Sequence, residues 1–226
     1  MAHPYSPQSA VIPGWIPNET PILHLAAEFA ALAGGAVILA LLFARQCPSW
    51  HGLRSIDVFA VAWFALCGFL HCFFEGYFVH HQGRLAGMQT LFAQLWKYYS
   101  LADSRYITLD NFTVVIEFLT ALIWGPLSWL TVYSITARSP SRHILQIIMC
   151  VAHIYGVVLY FGTEYRNEKL TGDSASLPDF LFYWVYYVGF NIVWAFVPAW
   201  LLWDSWMAIT RAISFCEADT SLKKDR

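Results

Sequence analysis

The stretch Leu66-Cys67-Gly68-Phe69-Leu70-His71-Cys72-Phe73-Phe74-Glu75-Gly76-Tyr77-Phe78-Val79 decides how this chain is read. It is apolar enough to sit in hydrocarbon, yet it holds two ionisable side chains four residues apart. In a helix that spacing puts His71 and Glu75 on one face, one turn apart. Ionisable groups are costly at bilayer depth, so they face a bundle interior and mark a functional site. The spacing alone is weak evidence, because His24 and Glu28 repeat it. Depth separates the two pairs. His24 stands at the mouth of an apolar run, just after Pro21, whereas His71 and Glu75 lie among Phe69, Phe73 and Phe74.

Composition agrees with a membrane setting. Of 226 residues, 58% are hydrophobic, 18% aromatic and 12% charged. A soluble domain carries about twice that charge. A mean hydropathy of +0.49 and five long apolar runs predict an all-α polytopic membrane protein. The expected fold is a five-helix transmembrane bundle around an intramembrane ligand cavity. The spans are expected near 24–43, 57–79, 111–134, 144–162 and 181–203. This divides the chain into an extended N-terminal segment (1–22), a five-helix domain (23–205) and a charged tail (206–226). Between spans two and three, residues 88–99 read as a short interfacial helix. A net charge of −2 gives no electrostatic case for a nucleic-acid partner. The five cysteines, Cys47, Cys67, Cys72, Cys150 and Cys216, have no metal-binding spacing and read as free thiols.

The basic residues set an expected orientation. Arg45, Arg54, Arg138, Arg142, Arg211, Lys223, Lys224 and Arg226 fall on the side of loop 1, loop 3 and the C-terminus. The positive-inside rule puts that side in the cytosol and residues 1–22 in a lumen or outside. The chain ends Lys223-Lys224-Asp225-Arg226, which on a cytosolic tail reads as a dilysine endoplasmic-reticulum retrieval signal; the plainer alternative is a solvated basic tail.

Glu117 is the strongest single signal. Its span holds no basic residue, and its neighbours are Val114, Val115, Ile116, Phe118 and Leu119. An ionised, unpaired carboxylate there is costly, so it is expected neutral, hydrogen-bonded or facing a cation. Thr113, Thr120 and Trp124 share its face by helical spacing. The last span offers Asn191 and Trp194, with Trp184, Tyr187 and Pro198 on nearby turns. An amide there is also common helix glue. Gln146, Cys150, His153, Tyr160 and Glu164 share a face of span four, where Gln146 and His153 read as supporting groups or as packing. Carboxyl and imidazole groups exchange protons with a substrate, and aromatic faces stabilise a cation. A cavity with both suits an apolar substrate that passes through a carbocation.

The strings Asp103-Ser104-Arg105-Tyr106-Ile107, Asp110-Asn111-Phe112-Thr113-Val114 with Glu117, and Trp124-Gly125-Pro126-Leu127-Ser128 resemble the emopamil-binding-protein (EXPERA-type) family. So do Cys67-Gly68-Phe69 before His71, Glu75-Gly76, Gln94-Leu95-Trp96-Lys97, Ile154-Tyr155-Gly156, Leu159-Tyr160-Phe161, Thr163-Glu164, and Asn191 with Trp194 and Pro198. The resemblance covers about residues 15–210. It implies a five-span endoplasmic-reticulum sterol Δ8–Δ7 isomerase of sterol biosynthesis that also binds cationic amphiphilic amines. Such an enzyme moves the C8–C9 double bond to C7–C8, adding a proton at C9 and losing one from C7. By matching position, the resemblance makes His71 and Glu75 proton donor and acceptor, or one relay. Glu117 balances the cation or joins the transfer, Thr120 supports Glu117, Asn191 orients a carboxyl group and Trp194 faces the cation. Tyr106, Trp124 and Tyr187 complete the expected substrate-binding set. The reaction is redox-neutral, so no nicotinamide, flavin or metal is implied. Where the family commonly has Gln and then Asp, this chain has His153 and Val157, a difference that bears on ligand preference.

Two rival functions share these residues. One is a non-catalytic sterol- or amine-binding protein on the same scaffold. The emopamil-binding-protein-like branch is such a case, but it lacks the Asp-Asn-Phe-Thr-Val and Trp-Gly-Pro-Leu-Ser strings. The other is a metal-dependent oxidoreductase with His71, Glu75 and Glu117 as ligands, for which the chain lacks His-x-x-His-His boxes. Gly34-Gly35 in span one permits a helix–helix dimer contact.

Overall fold

The computed structural model describes residues 3–224, with the side chains of 221–224 excluded. Among the described residues there are helices and no strands, and five helices are long and apolar enough to cross a membrane. We number them with one short helix in chain order. They are α1 (Ile22–Arg45), α2 (Ser55–His81), the short α3 (Leu91–Tyr99), α4 (Asn111–Thr136), α5 (Arg142–Thr171) and α6, which starts at Leu181 and reaches Lys224. Each span holds 24 or more residues. At about 1.5 Å per residue that exceeds the hydrocarbon thickness of a bilayer.

Three spans carry a widened π-helical turn, at Leu70–Glu75 in α2, Thr120–Trp124 in α4 and Leu181–Gly189 at the start of α6. A glycine ends or follows each one: Gly76, Gly125 and Gly189. The amide of Gly125 reaches back five residues to the carbonyl of Thr120. Pro126 next to it has no amide hydrogen, so the ladder is broken there in any case. At Gly189 a Cβ would sit 3.1 Å from the carbonyl oxygen of Trp184, five residues back, which is why no larger residue fits easily. π-Turns inside helices concentrate at functional sites, and all three of these contribute residues to the cavity described below.

Two hydrophobic clusters hold the ends of the bundle. One joins α1, α2, α4, α5 and α6 through Ala44, Val61, Phe64, Ile135, Met149 and Leu201. On that side Ser49 Oγ donates to Thr136 O at 2.5 Å, and Arg54 bridges Asp57 and Asp204, each at 2.7 Å. The second cluster packs Tyr5, Phe78, Leu85, Trp96, Tyr106 and Ile107 at the opposite end. Helix α3 lies there with Ala93, Gln94, Trp96 and Lys97 buried; Trp96 stacks on Phe74 at 4.4 Å and 9°. Apolar side chains such as Phe43, Leu122, Val158 and Phe196 point outward, as a lipid-facing belt requires. Gly34 and Gly35 have nothing within 4 Å of where a Cβ would be.

Residues 3–21 form no helix, run through several turns and are docked. Tyr5 is buried. The side-chain oxygen of Gln94 accepts from the amides of Glu19 (3.0 Å) and Thr20 (2.9 Å), and Asn18 Nδ2 donates to Gln94 O at 2.8 Å. Lys97 Nζ donates to Ile16 O at 3.1 Å, and Ser6 Oγ to Ser174 O at 2.6 Å. Burial holds the Lys97 ammonium below its usual range, since these partners are neutral acceptors.

Two boundaries differ from expectation. Helix α5 runs to Thr171 rather than stopping near 162, and ends where Gly172 takes a left-handed conformation (φ 80°) with its amide on Glu168 O at 2.9 Å. Helix α6 passes without a break through residue 205, where the tail was expected to begin. Backbone pairing carries both helices on past their last apolar turn. Of the retrieval signal, Asp225 and Arg226 lie outside the described residues, as do the side chains of Lys223 and Lys224.

Candidate functional site

Between the two clusters lies a cavity of about 670 Å³, within the range of small-molecule sites. It takes side chains from every helix. Ile22, Ala26 and Phe29 come from α1, His71 and Glu75 from α2, Trp96 and Tyr99 from α3, Glu117, Thr120 and Trp124 from α4, His153 and Tyr160 from α5, and Asn191 and Trp194 from α6. Of the nine expected site residues, eight line it: His71, Glu75, Glu117, Thr120, Asn191, Trp194, Tyr106 and Trp124. Tyr187 does not. The widened turn at Leu181–Gly189 rotates Tyr186 to the cavity and Tyr187 to α5, where it packs on Tyr160 (5.4 Å) and Phe161 (5.3 Å). His24 and Glu28 are exposed on the outer face of α1, away from the cavity.

The carboxyl and imidazole groups occupy distinct places. His71 Nδ1 pairs with Glu75 Oε2 at 2.7 Å, and His71 Nε2 faces His153 Nε2 at 3.1 Å. His153 thus touches the pair directly instead of standing behind it. The π-turn carries His71 and Glu75, and Gly125 of α4 packs against it; a Cβ at Gly125 would lie 3.3 Å from His71 Cβ. Glu117 is buried, and its Oε1 accepts from the Tyr106 hydroxyl at 2.9 Å. Its Oε2 has no partner. Burial pushes the Tyr106 phenol well above its usual range, so the phenol stays a donor. Thr120 Oγ1 donates at 2.9 Å to the backbone carbonyl of Glu117, so it supports the turn that carries the carboxyl group.

Asn191 also differs from expectation. Its Nδ2 donates to Tyr99 Oη and to Tyr187 O, both at 2.8 Å, and it orients a tyrosine rather than a carboxylate. Tyr99 Oη lies 3.3 Å from Tyr160 Oη, giving a polar cluster of two phenols and an amide. Trp194 packs on Trp63 with ring centres 5.2 Å apart, and its Nε1 is buried without a partner. The loop that supplies Tyr106 is anchored by a buried ion pair. Arg105 holds Asp103 at 2.7 Å, donates to Tyr160 O (3.2 Å) and Thr163 Oγ1 (3.0 Å), and lies over the Tyr160 ring at 4.5 Å. Burial opposes its charge, yet Asp103 keeps the guanidinium above its usual range.

Among the described residues, one grouping brings metal-ligand atoms together: those of Cys67, His71 and His153 lie within 4.8 Å of one another. It is not the His71, Glu75 and Glu117 set considered from sequence. Both nitrogens of His71 are taken up by hydrogen bonds, to Glu75 and to His153, so the geometry is that of a hydrogen-bonded chain.

Five membrane-crossing helices around a cavity with two carboxyl groups, two imidazoles and aromatic walls define an integral membrane protein with an intramembrane cavity. Comparison with known proteins gives the family. Residues 91–205 match EXPERA (EXPanded EBP superfamily). The chain is 36% identical over 219 residues to the 3-beta-hydroxysteroid-Delta(8),Delta(7)-isomerase of Mus musculus, covering 96% of this chain and 92% of the relative. It is 34% identical over 203 residues to the protein of the same name from Cavia porcellus, covering 90% and 87%. An isomeliandiol synthase from Melia azedarach is 37% identical over 157 residues, covering 69% and 71%. The chain belongs to the EXPERA family.

Proposed function

We propose that this protein is a sterol Δ8–Δ7 isomerase: it protonates C9 of a 3β-hydroxy-Δ8-sterol and removes a proton from C7. The observation that carries the reading is the placement of two separate carboxyl groups on one apolar cavity. Glu75 is hydrogen-bonded to an imidazole chain, and Glu117 to a phenol. The names of its relatives support the same reaction.

Proton addition at C9 leaves positive charge near C8, in a cavity lined mostly by apolar and aromatic side chains. A carboxylate across the cavity and the faces of Trp194 and Trp124 offset that charge. In this reading Glu75, backed by His71, is the acid–base group, and Glu117 lies toward the cation. Tyr99, Tyr160 and Asn191 form the polar end, suited to hydrogen-bonding a sterol hydroxyl. A protonated amphiphilic amine resembles the cationic intermediate and competes for the same space.

The test is complementation of a sterol-isomerase-deficient cell with sterol profiling. Restored Δ7-sterol with the parent chain is expected, and loss of it with either Glu75→Gln or Glu117→Gln. Near-parental Δ7-sterol with both variants would reject the acid–base assignment. An amphiphilic tertiary amine added to the same cells should restore the Δ8-sterol excess. For location, we infer an endoplasmic-reticulum membrane protein with its C-terminus in the cytosol, on the basis of the basic-residue asymmetry and Lys223-Lys224. Replacing both lysines by serine should release the protein to later compartments; unchanged localisation by microscopy would remove the retrieval signal from the account.

A further inference from the structure

We infer that His153 is a positioning residue that fixes the tautomer of His71 and thereby makes Glu75 Oε1 the atom that exchanges a proton with the ligand. The inference rests on the isomerase reading for its chemistry but not for its geometry.

Three groups stand in line: Glu75 Oε2, His71 between them, and His153. His71 Nδ1 is 2.7 Å from Glu75 Oε2, and His71 Nε2 is 3.1 Å from His153 Nε2. The contact between two ring nitrogens is a hydrogen bond only when one proton sits between them. The far nitrogen of His153, Nδ1, is buried and has no partner. A proton on that nitrogen would be a buried N–H with nothing to accept it, and orphaned buried donors are rarer than under-satisfied acceptors. His153 therefore carries its proton on Nε2 and donates it to His71. With its Nε2 lone pair taken, neutral His71 carries its own proton on Nδ1 and donates it to Glu75 Oε2. The hydrogen bond made by one imidazole nitrogen sets the state of the other, and here that rule runs through two rings.

The consequence falls on the carboxyl group. His71 has no nitrogen left for a ligand. Glu75 keeps one oxygen, Oε1, outside the chain, on a side chain that lines the cavity. When the O–H bond at Oε1 breaks and the C–H bond at the sterol forms, the electron pair stays on the carboxylate. The His71 Nδ1–H bond at Oε2 stabilises that charge at once. When Oε1 later takes a proton from carbon, the same bond persists. His71 thus orients Glu75, and His153 orients His71.

The experiment uses the full chain labelled with ¹⁵N-histidine in lipid nanodiscs, with long-range ¹H–¹⁵N spectra assigned through loss of the His71 signals in His71→Asn. In the parent, His71 should be protonated at Nδ1 and bare at Nε2. His153→Phe removes the donor, so the Nε2–H form should appear, and kcat on a Δ8-sterol should fall at least tenfold with KM within twofold. His153→Gln keeps an N–H to donate and should recover the parental tautomer and most of the kcat lost in the Phe variant. If the Phe variant does not fold, His153→Ala replaces it in the same measurement. An Nε2-protonated His71 in the parent overturns the inference. So does a donor-less variant with parental tautomer and kcat. If the spectra follow expectation while no preparation converts a Δ8-sterol, the isomerase reading fails and the tautomer assignment stands.

Discussion

Gly125→Ala puts the site under stress without touching a chemical group. The new Cβ would sit 2.5 Å from Cys72 Sγ, 3.1 Å from Cys72 N and 3.3 Å from His71 Cβ. Against Sγ alone this falls short of ordinary contact by about 0.9 Å. A cysteine side chain is short, and its neighbour is backbone, so the strain is relieved by moving the π-turn of α2 away from α4. That turn carries His71 and Glu75. A misplacement near 1 Å at a reacting group costs on the order of 100-fold in rate, and overpacking of this kind costs about 1–3 kcal/mol of stability. The assay is turnover of a Δ8-sterol by protein in nanodiscs, read by gas chromatography, alongside thermal unfolding. Turnover should fall on the order of 100-fold while the protein remains folded. Gly125→Ala combined with Cys72→Ala removes the worst contact and should recover much of the loss. Parental turnover in the single variant would refute the claim that this helix crossing holds the acid–base pair in place.

Tyr106→Phe takes the hydroxyl from Glu117 Oε1, leaving both oxygens without a side-chain donor. An unsatisfied buried group costs about 1–3 kcal/mol, so kcat should fall roughly 5- to 150-fold with less change in KM; an unchanged kcat would separate Glu117 from the chemistry. Arg105→Ala leaves Asp103, which is 0% exposed, without its counter-charge. Breaking a buried pair in this way costs about 3–5 kcal/mol, read as a fall in unfolding temperature in detergent. An unaltered unfolding temperature would mean that the clamp does not hold the loop.

The spans were legible because a helix in lipid must be apolar, and the runs around Phe69, Ile116 and Val193 left little choice. The polar extensions to Thr171 and beyond Trp203 were not, since hydropathy marks where lipid ends and not where backbone pairing ends. The ionisable residues were legible from depth alone. Their partners were not, because Tyr106 on Glu117 and His153 on His71 are contacts across elements that no spacing encodes. The span-four face did hold His153 and Tyr160 together, and that was the one available signal. Tyr187 was misplaced for a definite reason. Helical spacing assumes 3.6 residues per turn, and the wide turn at Leu181–Gly189 moves the cavity-facing position to Tyr186. Glycine after each wide turn is visible in the sequence, but glycine has too many other uses to announce a π-turn.

The docked N-terminal segment bears on the order of assembly. Residues 3–21 leave the ribosome before their anchors, which come much later in the chain. Gln94 and Lys97 belong to α3, and Ser174, which receives Ser6, follows the fourth membrane helix. The Ser6–Ser174 contact cannot form until four of the five spans have been made. Closure of the strap is thus a late event that reports on the placement of α3 and of the 172–180 loop together. In a cell, an N-terminus open to protease would mark chains in which that assembly is incomplete.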